Sequence, residues 1–282
     1  MIYTIILILA IIFPSLVQAQ WPNQPTNGAI ISDWDWSSCP GGGWISAGCG
    51  PIRSDASAPL SPPLVMNYEY NPATGFGGGD VFIFPNSLEI YFALKIKLSS
   101  PFEGTANGAN KLVFAFDGFG SLGFYLKFEG QQGSNLFFPS FSYTSSDPPA
   151  ETINNCHITQ NFYIADPSFP CVVRQWNASS PAPLGSWFTY EFYYRHSSCL
   201  TCQNGIVRIH LNGIQILNLT NLNTYQEPVT QLDITPTWTP PIDRSNPDII
   251  SFDHVRLMSC TNCQFGGGDT TPPNPVTGIT VE

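Results

Sequence analysis

Polar side chains alternate with apolar ones along residues 187–217, the stretch of this chain best suited to do chemistry. Successive side chains of a β-strand face opposite sides, so the alternation predicts strands with one apolar face and one polar face. Asn204-Gly205 and Asn212-Gly213 are typical of the tight turns that join antiparallel strands. The predicted polar face carries Glu191, Tyr193, Arg195, Arg208 and His210.

These side chains permit two kinds of chemistry on a saccharide. Aromatic rings stack on sugar rings while polar groups hydrogen-bond to them, so the face can bind a glycan. β-Elimination from a uronic acid needs a cation at the carboxylate, a base and an acid. Arg195 or Arg208 would neutralise the carboxylate, and His210 or Tyr193 would act as the base, with a tyrosine donating the proton to the leaving oxygen. Further ligand-binding residues expected on a polar sheet face are Tyr91, Lys95 and Tyr125.

Two other catalytic patterns are absent from the sequence. A glycoside hydrolase would place paired carboxylates two or four residues apart on one strand, whereas Glu191 stands alone on its hairpin. A serine or cysteine nucleophile is also unsupported, because no nucleophile-elbow pattern occurs. The sequence therefore favours binding, elimination or a structural role over hydrolysis.

The strands that position these residues follow from the same alternation. Apolar residues recur at every second position along 91–98, 111–117 and 122–129, which predicts three strands packed against a core. Burying one Phe or Leu side chain contributes ~1.5–3 kcal/mol, so such strands can anchor the fold. On the last two strands the side chains predicted to face inward are Leu112, Phe114, Phe116, Leu122, Phe124, Leu126 and Phe128.

The composition indicates a single all-β domain over residues 20–263. Gly and Pro together number 50, aromatic residues make up 13% and charged residues 11%, as expected of short strands joined by turns. Further strands are predicted at 64–70 and 249–258, and 131–186 is interpreted as an irregular excursion over a sheet. No amphipathic helix is predicted. The expected architecture is a two-sheet antiparallel β-sandwich.

The charge balance argues against nucleic acid as a partner. Ten Lys and Arg against twenty Asp and Glu give a net charge of −10, whereas phosphate binding needs a basic stripe. An anionic polysaccharide is disfavoured by the net charge but allowed if cations gather on one sheet face. The cations available for this are Lys95, Lys97, Lys111, Lys127, Arg195 and Arg208.

Both ends of the chain differ in composition from the middle. Residues 1–17 are almost continuously apolar and are followed by Val17-Gln18-Ala19, which predicts a secretory signal peptide over 1–19 and a secreted, extracellular or cell-surface protein. A retained membrane anchor is the alternative, although the run is short for a span, and no membrane span is expected in the mature chain. Residues 264–282 are rich in Gly and Pro, typical of a linker or tail, with further domains possible beyond it.

Eight cysteines in an exported chain predict disulfides. Proximity suggests that Cys39 pairs with Cys49 and Cys156 with Cys171. The other four form two C-x-x-C pairs, Cys199 with Cys202 and Cys260 with Cys263, which can bridge within each pair or between the pairs. A tetrahedral zinc site made by both pairs is the alternative.

Several of these segments, in this order, resemble the concanavalin A-like lectin/glucanase superfamily, including laminin-G-like and polysaccharide-lyase-like jelly rolls. The resemblance spans roughly residues 75–258. The matching segments are Gly77–Gly79, Tyr91–Leu98, Asn110-Lys111, Trp187, Asn204-Gly205, Leu211-Asn212-Gly213 and Phe252–Leu257.

The resemblance implies a jelly-roll sandwich and three alternative roles. The first is a secreted lectin-like module with a polysaccharide or glycan as its partner; the others are a lyase acting on a uronic-acid polymer and a structural or adhesion domain. It also implies a structural calcium at Asp253, for which Asp33, Asp35 or Asp80 would supply further ligands. The tail is similar to the lead-in of a fibronectin type III domain.

Overall fold

The computed structural model describes the greater part of residues 21–265, and the described residues form β-strands and no α-helix. No helix in that part of the chain has the length and apolar character that a bilayer span requires. The expected signal peptide, residues 266–282 and Cys39, Cys49, Cys156 and Cys171 lie outside the described residues. The described ranges are 21–36, 44–46, 52–60, 63–70, 79–105, 109–118, 120, 122–130, 133, 135–143, 180–199, 202, 204–222, 228–237 and 247–265.

The strands are numbered in chain order. They are β1 (Ala29–Trp34), β2 (Trp44–Ser46), β3 (Ile52–Ser54), β4 (Leu64–Glu69), β5 (Asp80–Ser87), β6 (Glu89–Leu98), β7 (Ala109–Asp117), β8 (Leu122–Glu129), β9 (Phe138–Tyr143), β10 (Trp187–Arg195), β11 (Gly205–Leu211), β12 (Ile214–Leu222), β13 (Val229–Thr237) and β14 (Ile249–Ser259).

Two antiparallel sheets make up the fold. The eight-stranded sheet has the order β12-β11-β10-β6-β14-β4-β3, and β1 pairs with β14 off this path. The six-stranded sheet has the order β2-β5-β13-β7-β8-β9. This confirms the predicted all-β, two-sheet antiparallel sandwich.

Aromatic side chains from both sheets interlock to form the core. Phe124 of β8 lies with its ring centroid 5.2 Å from Phe192 and 4.8 Å from Tyr194, both on β10. Phe141 of β9 stacks on Phe192 at 5.7 Å. All four rings are buried, so the apolar face predicted for β10 does pack against the other sheet.

The predicted excursion 131–186 contains a strand that the sequence analysis missed. β9 pairs with β8 along its whole length and closes one edge of the six-stranded sheet. Its sequence, FPSFSY, carries a proline and two serines, which weakened the strand pattern. Tertiary pairing overrides this weak local preference.

The inward assignment of Phe114 and Phe116 was wrong. The register of β7 against β8 shifts between Lys111 and Val113, where an extra residue enters β7. An extra residue reverses which side chains face the core beyond it. Val113 and Ala115 are therefore buried in the core, while both phenylalanines face outward and are half-buried.

Segments next to the two ends of the sandwich cross the outer side of the eight-stranded sheet. We call residues 21–25 the N-terminal cover and residues 260–265 the C-terminal cover. The two pair through a bridge between Pro25 and Phe265, and Thr26 N donates to Gln264 O at 2.7 Å. Trp21, 2% exposed, packs with Tyr91, Ala93 and Met258 in a small second cluster of buried side chains.

Candidate functional site

The outer face of the eight-stranded sheet gathers most of the side chains predicted to bind a ligand. Tyr193 of β10 lies opposite Arg208 of β11 on one side and Tyr91 of β6 on the other. Glu191 pairs with His210 on the same face. The residues brought together are Tyr91, Lys95, Glu191, Tyr193, Arg195, Arg208 and His210.

The N-terminal cover is fastened to this face by Glu191. The Glu191 carboxylate accepts hydrogen bonds from Asn23 N at 2.8 Å and Asn23 Nδ2 at 2.9 Å. The Tyr91 hydroxyl donates a third bond to it at 2.5 Å. Glu191 is fully buried, and these bonds compensate the cost of taking its charge out of water.

The C-terminal cover is fastened in the same way by Glu89. Its carboxylate accepts bonds from Tyr193 Oη at 2.5 Å, Asn262 N at 2.7 Å and Cys263 N at 2.6 Å. Phe265 packs edge-on against the Tyr193 ring, with the centroids 4.8 Å apart. The Arg208 guanidinium lies 5.2 Å from the Phe265 ring, so aromatic and cationic groups of the face contact the chain's own cover.

The two covers close the outer face of the eight-stranded sheet, which the sequence predicted to be open. The polar side chains of this face therefore form a buried layer. Tyr91, Glu191, Tyr193 and His210 are all less than 5% exposed. Burial is the main cause that raises the pKa of both Tyr91 and Tyr193. Burial, and secondarily the Arg208 cation, lowers the pKa of His210 to about 4. Alternation reports which way a side chain points, but it does not report what packs on it.

Lys95 and Asp253 also form hydrogen bonds within the protein. The Lys95 ammonium donates to Thr189 Oγ1 and lies 5.7 Å from the centroid of the Trp21 ring. Burial lowers the pKa of Lys95. Asp253 is fully buried, and its Oδ2 accepts a bond from Leu60 N at 2.7 Å.

The residues expected to complete a calcium site have partners elsewhere in the described structure. Asp33 bonds His254 Nε2 at 2.6 Å and Arg256 Nη2 at 2.6 Å, and Asp80 accepts a bond from the Tyr68 hydroxyl. Within the described ranges, Asp253 belongs to no group of three or more side chains placed to hold a metal. Calcium at Asp253 stays a prediction.

The described cysteines form disulfides within each C-x-x-C pair. Cys199 is bonded to Cys202 and Cys260 to Cys263. The bridges therefore lie within the pairs and not between them, and the zinc alternative does not apply to these four residues. Disulfides are typical of proteins that fold in an oxidising compartment.

Tyr125 lies on the opposite side of the sandwich from the other predicted ligand-binding residues. It faces outward from β8, in a row across the six-stranded sheet with Phe114 of β7 and Asp233 of β13. Lys111 pairs with Lys127 in the row beside it. We call these five residues, Lys111, Phe114, Tyr125, Lys127 and Asp233, the lysine-tyrosine face.

The ammonium groups of both lysines lie near the Tyr125 ring. Their Nζ atoms lie 5.9 Å (Lys111) and 5.6 Å (Lys127) from the Tyr125 ring centroid. Phe114 lies 5.8 Å from Tyr125, centroid to centroid, and 5.8 Å from Lys111 Nζ. Cations at this distance from aromatic rings are attracted to them, so each ammonium group is held near the Tyr125 ring.

Two further polar groups lie on the strands next to β7 and β8. Asp233 Oδ1 accepts a bond from Gln231 Nε2 at 2.7 Å, and burial raises the Asp233 pKa, with the Gln231 bond acting in the opposite direction. Ser140 of β9 lies opposite Lys127 and is fully buried, and its hydroxyl has no hydrogen-bond partner among the described residues.

The arrangement places two cations, a phenol and a partly exposed aromatic surface on one sheet face. Ammonium groups bind carboxylates, and aromatic planes stack on the apolar faces of sugar rings. The alternation of β8 already indicated that Tyr125 and Lys127 face outward. The outward position of Phe114 was not predicted, because no residue pattern in the sequence indicates the bulge in β7.

Solved structures with this architecture support the assignment of the fold. Alginate lyase vAL-1 from Chlorella virus matches with a TM-score of 0.56 and 15% identity, over 82% of this chain and 100% of that one. A double mutant of alginate lyase Aly36B, in complex with alginate trisaccharide, matches with a TM-score of 0.53 and 12% identity, over 83% of this chain and 99% of that one. The chain has the concanavalin A-like jelly-roll fold. No family model and no curated protein matches the sequence of this jelly roll.

Proposed function

We propose that this jelly roll is an extracellular protein that binds an acidic polysaccharide on the lysine-tyrosine face. The observation that carries the proposal is the Tyr125 ring with two lysine ammonium groups less than 6 Å from its centroid. The other described candidate face is closed by the chain's own covers, which supports the choice of the six-stranded sheet.

Each group on this face has a role in binding a uronate polymer. Lys111 forms no ion pair with a carboxylate in the described residues, so its charge is available to the carboxylate of a sugar. Tyr125 and Phe114 offer half-buried rings on which sugar rings stack. Lys127, 6% exposed, supplies a second positive charge beneath this surface.

Loss of one lysine charge is expected to weaken binding of a polyuronate selectively. The change is Lys111→Gln, which keeps much of the side-chain length but removes the cation. Because a hydrogen bond to a charged group is worth about 1.5–3 kcal/mol, we expect the dissociation constant to rise about tenfold or more. Affinity electrophoresis through gels containing a polyuronate, with a neutral glucan as control polymer, measures this.

Lys97→Gln is the matched control, because Lys97 lies on the other sheet, pairs with Asp55 and lies 5.2 Å from the Trp187 ring. It removes the same charge from the chain and is expected to leave binding unchanged. Equal weakening by both variants would show that total charge, and not this face, controls binding, and the proposal would be rejected.

A second candidate function on the same face is cleavage of the polymer by β-elimination. The grouping of a phenol with two ammonium groups favours it, as does the fold shared with two alginate lyases. One lysine would neutralise the uronate carboxylate while a base removes the C5 proton. The C4–O bond then breaks, a C4=C5 double bond forms, and the Tyr125 hydroxyl would give its proton to the leaving oxygen.

Tyr125→Phe is expected to separate cleavage from binding. The ring that stacks on sugar remains, whereas the proton donor is lost, so cleavage should slow about 100-fold or more with the affinity little changed. Ultraviolet absorbance of unsaturated chain ends, followed over a panel of uronic-acid polysaccharides, measures the rate. If the unaltered protein produces no unsaturated ends on any polymer it binds, cleavage is rejected and binding stands.

A further inference from the structure

A cavity of about 680 Å³ opens at one end of the eight-stranded sheet and shares no lining residue with the lysine-tyrosine face. Its walls come from the β5–β6 connection, the segments that follow β10 and β14, and Asn27 and Ala29 at the start of β1. Its volume lies within the range of small-molecule sites.

The walls of this end cavity are tied to one another. His196 N donates to Leu88 O at 2.8 Å, which joins the segment after β10 to the β5–β6 turn. Cys260 N donates to Glu89 O at 3.3 Å, which joins the segment after β14 to the same turn. The disulfide Cys260–Cys263 closes a short loop beside it. A cavity with fixed walls loses little conformational entropy when a ligand binds.

The lining is suited to a ligand rich in hydroxyl groups. Seven of its 13 lining residues are serine, threonine or asparagine, and Leu88, 55% exposed, offers an apolar contact at the rim. Such groups hydrogen-bond to sugar hydroxyls and pack on sugar C–H groups. The polar lining residues include Asn86, Ser197, Ser259 and Thr261.

The positive charge among the residues that line the cavity comes from Arg195. Glu89 also lines it, but its carboxylate accepts three hydrogen bonds from Tyr193, Asn262 and Cys263. Arg195 Nη2 donates to Asn204 O at 3.0 Å, and its planar guanidinium carries further donors in a geometry that matches a carboxylate. A hydroxyl-rich ligand that also carries a carboxylate fits both features.

We propose that the end cavity binds a single uronic acid residue, free or at the end of a glycan chain. Arg195 contacts the carboxylate, while Asn86 and the hydroxyls of Ser197, Ser259 and Thr261 contact the sugar hydroxyls. The choice of ligand rests on the proposed function, but the residues that bind it do not include any of the lysine-tyrosine face.

The test is a titration of the full protein, labelled with ¹⁵N, with the monosaccharide glucuronate. Saturable shifts are expected at the backbone amides of Leu88 and Ser197. Arg195→Gln should raise the dissociation constant about tenfold or more, since it removes a charge-assisted contact. Asn86→Ala, at an exposed position near the end of β5, should weaken binding without affecting folding, and Lys97→Gln, which does not line the cavity, should leave it unchanged.

Three results would overturn the proposal. They are the absence of saturable shifts at these amides, equal affinity for glucose, which lacks the carboxylate, and loss of binding in Lys127→Gln with no effect of Arg195→Gln. The last result would place the monosaccharide on the lysine-tyrosine face. Failure of polymer binding on that face would leave the glucuronate titration unaffected, so the two proposals fail separately.

Discussion

Two individual residues, the buried carboxylates Glu191 and Glu89, hold the covers on the outer face of the eight-stranded sheet. Glu191 and Glu89 each accept three hydrogen bonds, one of them from a tyrosine hydroxyl and the others from a cover. A buried charge is tolerated only when it is well compensated, so each carboxylate selects one position for the segment that crosses it. Acidic side chains on this face therefore have a structural role.

The neutral state of His210 makes stability depend on pH. Its pKa is about 4 in the folded protein, whereas an unperturbed histidine has a pKa near 6.5. Between these values the unfolded chain binds more protons, so stability falls as the pH drops from about 6.5 to about 4. The loss attributable to His210 should approach roughly 3 kcal/mol. Urea denaturation at pH 7 and at pH 4.5 measures it.

His210→Gln is the control for this pH dependence, because glutamine is polar and does not titrate. The variant should lose less stability than the unaltered protein over the same interval. Burial also lowers the pKa of His196, which contributes with the same sign in both proteins and cancels in the comparison. Identical losses in the two proteins would contradict the assignment to His210.

Two features of the strands and their connections determine which outer sheet face is open. The bulge in β7 turns Phe114 outward beside Tyr125, and the two covers close the face that carries Tyr193. Both features depend on residues far apart in the sequence: Glu191 and Asn23 are separated by 168 positions. The predicted polar face thus became an interior layer, while the other sheet kept an aromatic and cationic surface.

Phe265 is expected to hold the C-terminal cover in place. Phe265→Ala removes the ring that packs on Tyr193 and lies near Arg208. The amide protons of Asn262 and Cys263, which bond Glu89, should then exchange with solvent faster, because the cover opens more often. Hydrogen-deuterium exchange measured by mass spectrometry follows this segment directly.

Ile214→Ala is the comparison for the exchange experiment, because Ile214 is 69% exposed and lies on the β11–β12 hairpin. It should leave exchange in the cover unchanged. Faster exchange throughout β6 and β10 in Phe265→Ala would indicate general destabilisation and contradict a local role for the ring.

Across the whole molecule, the positively charged side chains lie on two opposite sides of an acidic protein. Lys95, Arg195 and Arg208 lie on the eight-stranded sheet, in or beside its covered layer, whereas Lys111 and Lys127 lie on the six-stranded sheet. The net charge of −10 makes a local pair of lysines distinctive, because most of the surface repels a polyanion. The proposed polymer site and the end cavity therefore carry separate positive charges.

The sequence by itself determined the all-β class, the main strands and the inward rings of β8 and β10. Period-two alternation is a local property, and Phe124, Phe192 and Tyr194 follow it without interruption. Only the tertiary structure decided that Phe114 faces outward, that Tyr125 is separated from Tyr193, and that the covers bury Glu191 and His210. Bulges and crossing segments are set by contacts between distant parts of the chain, and a local pattern carries no information about them.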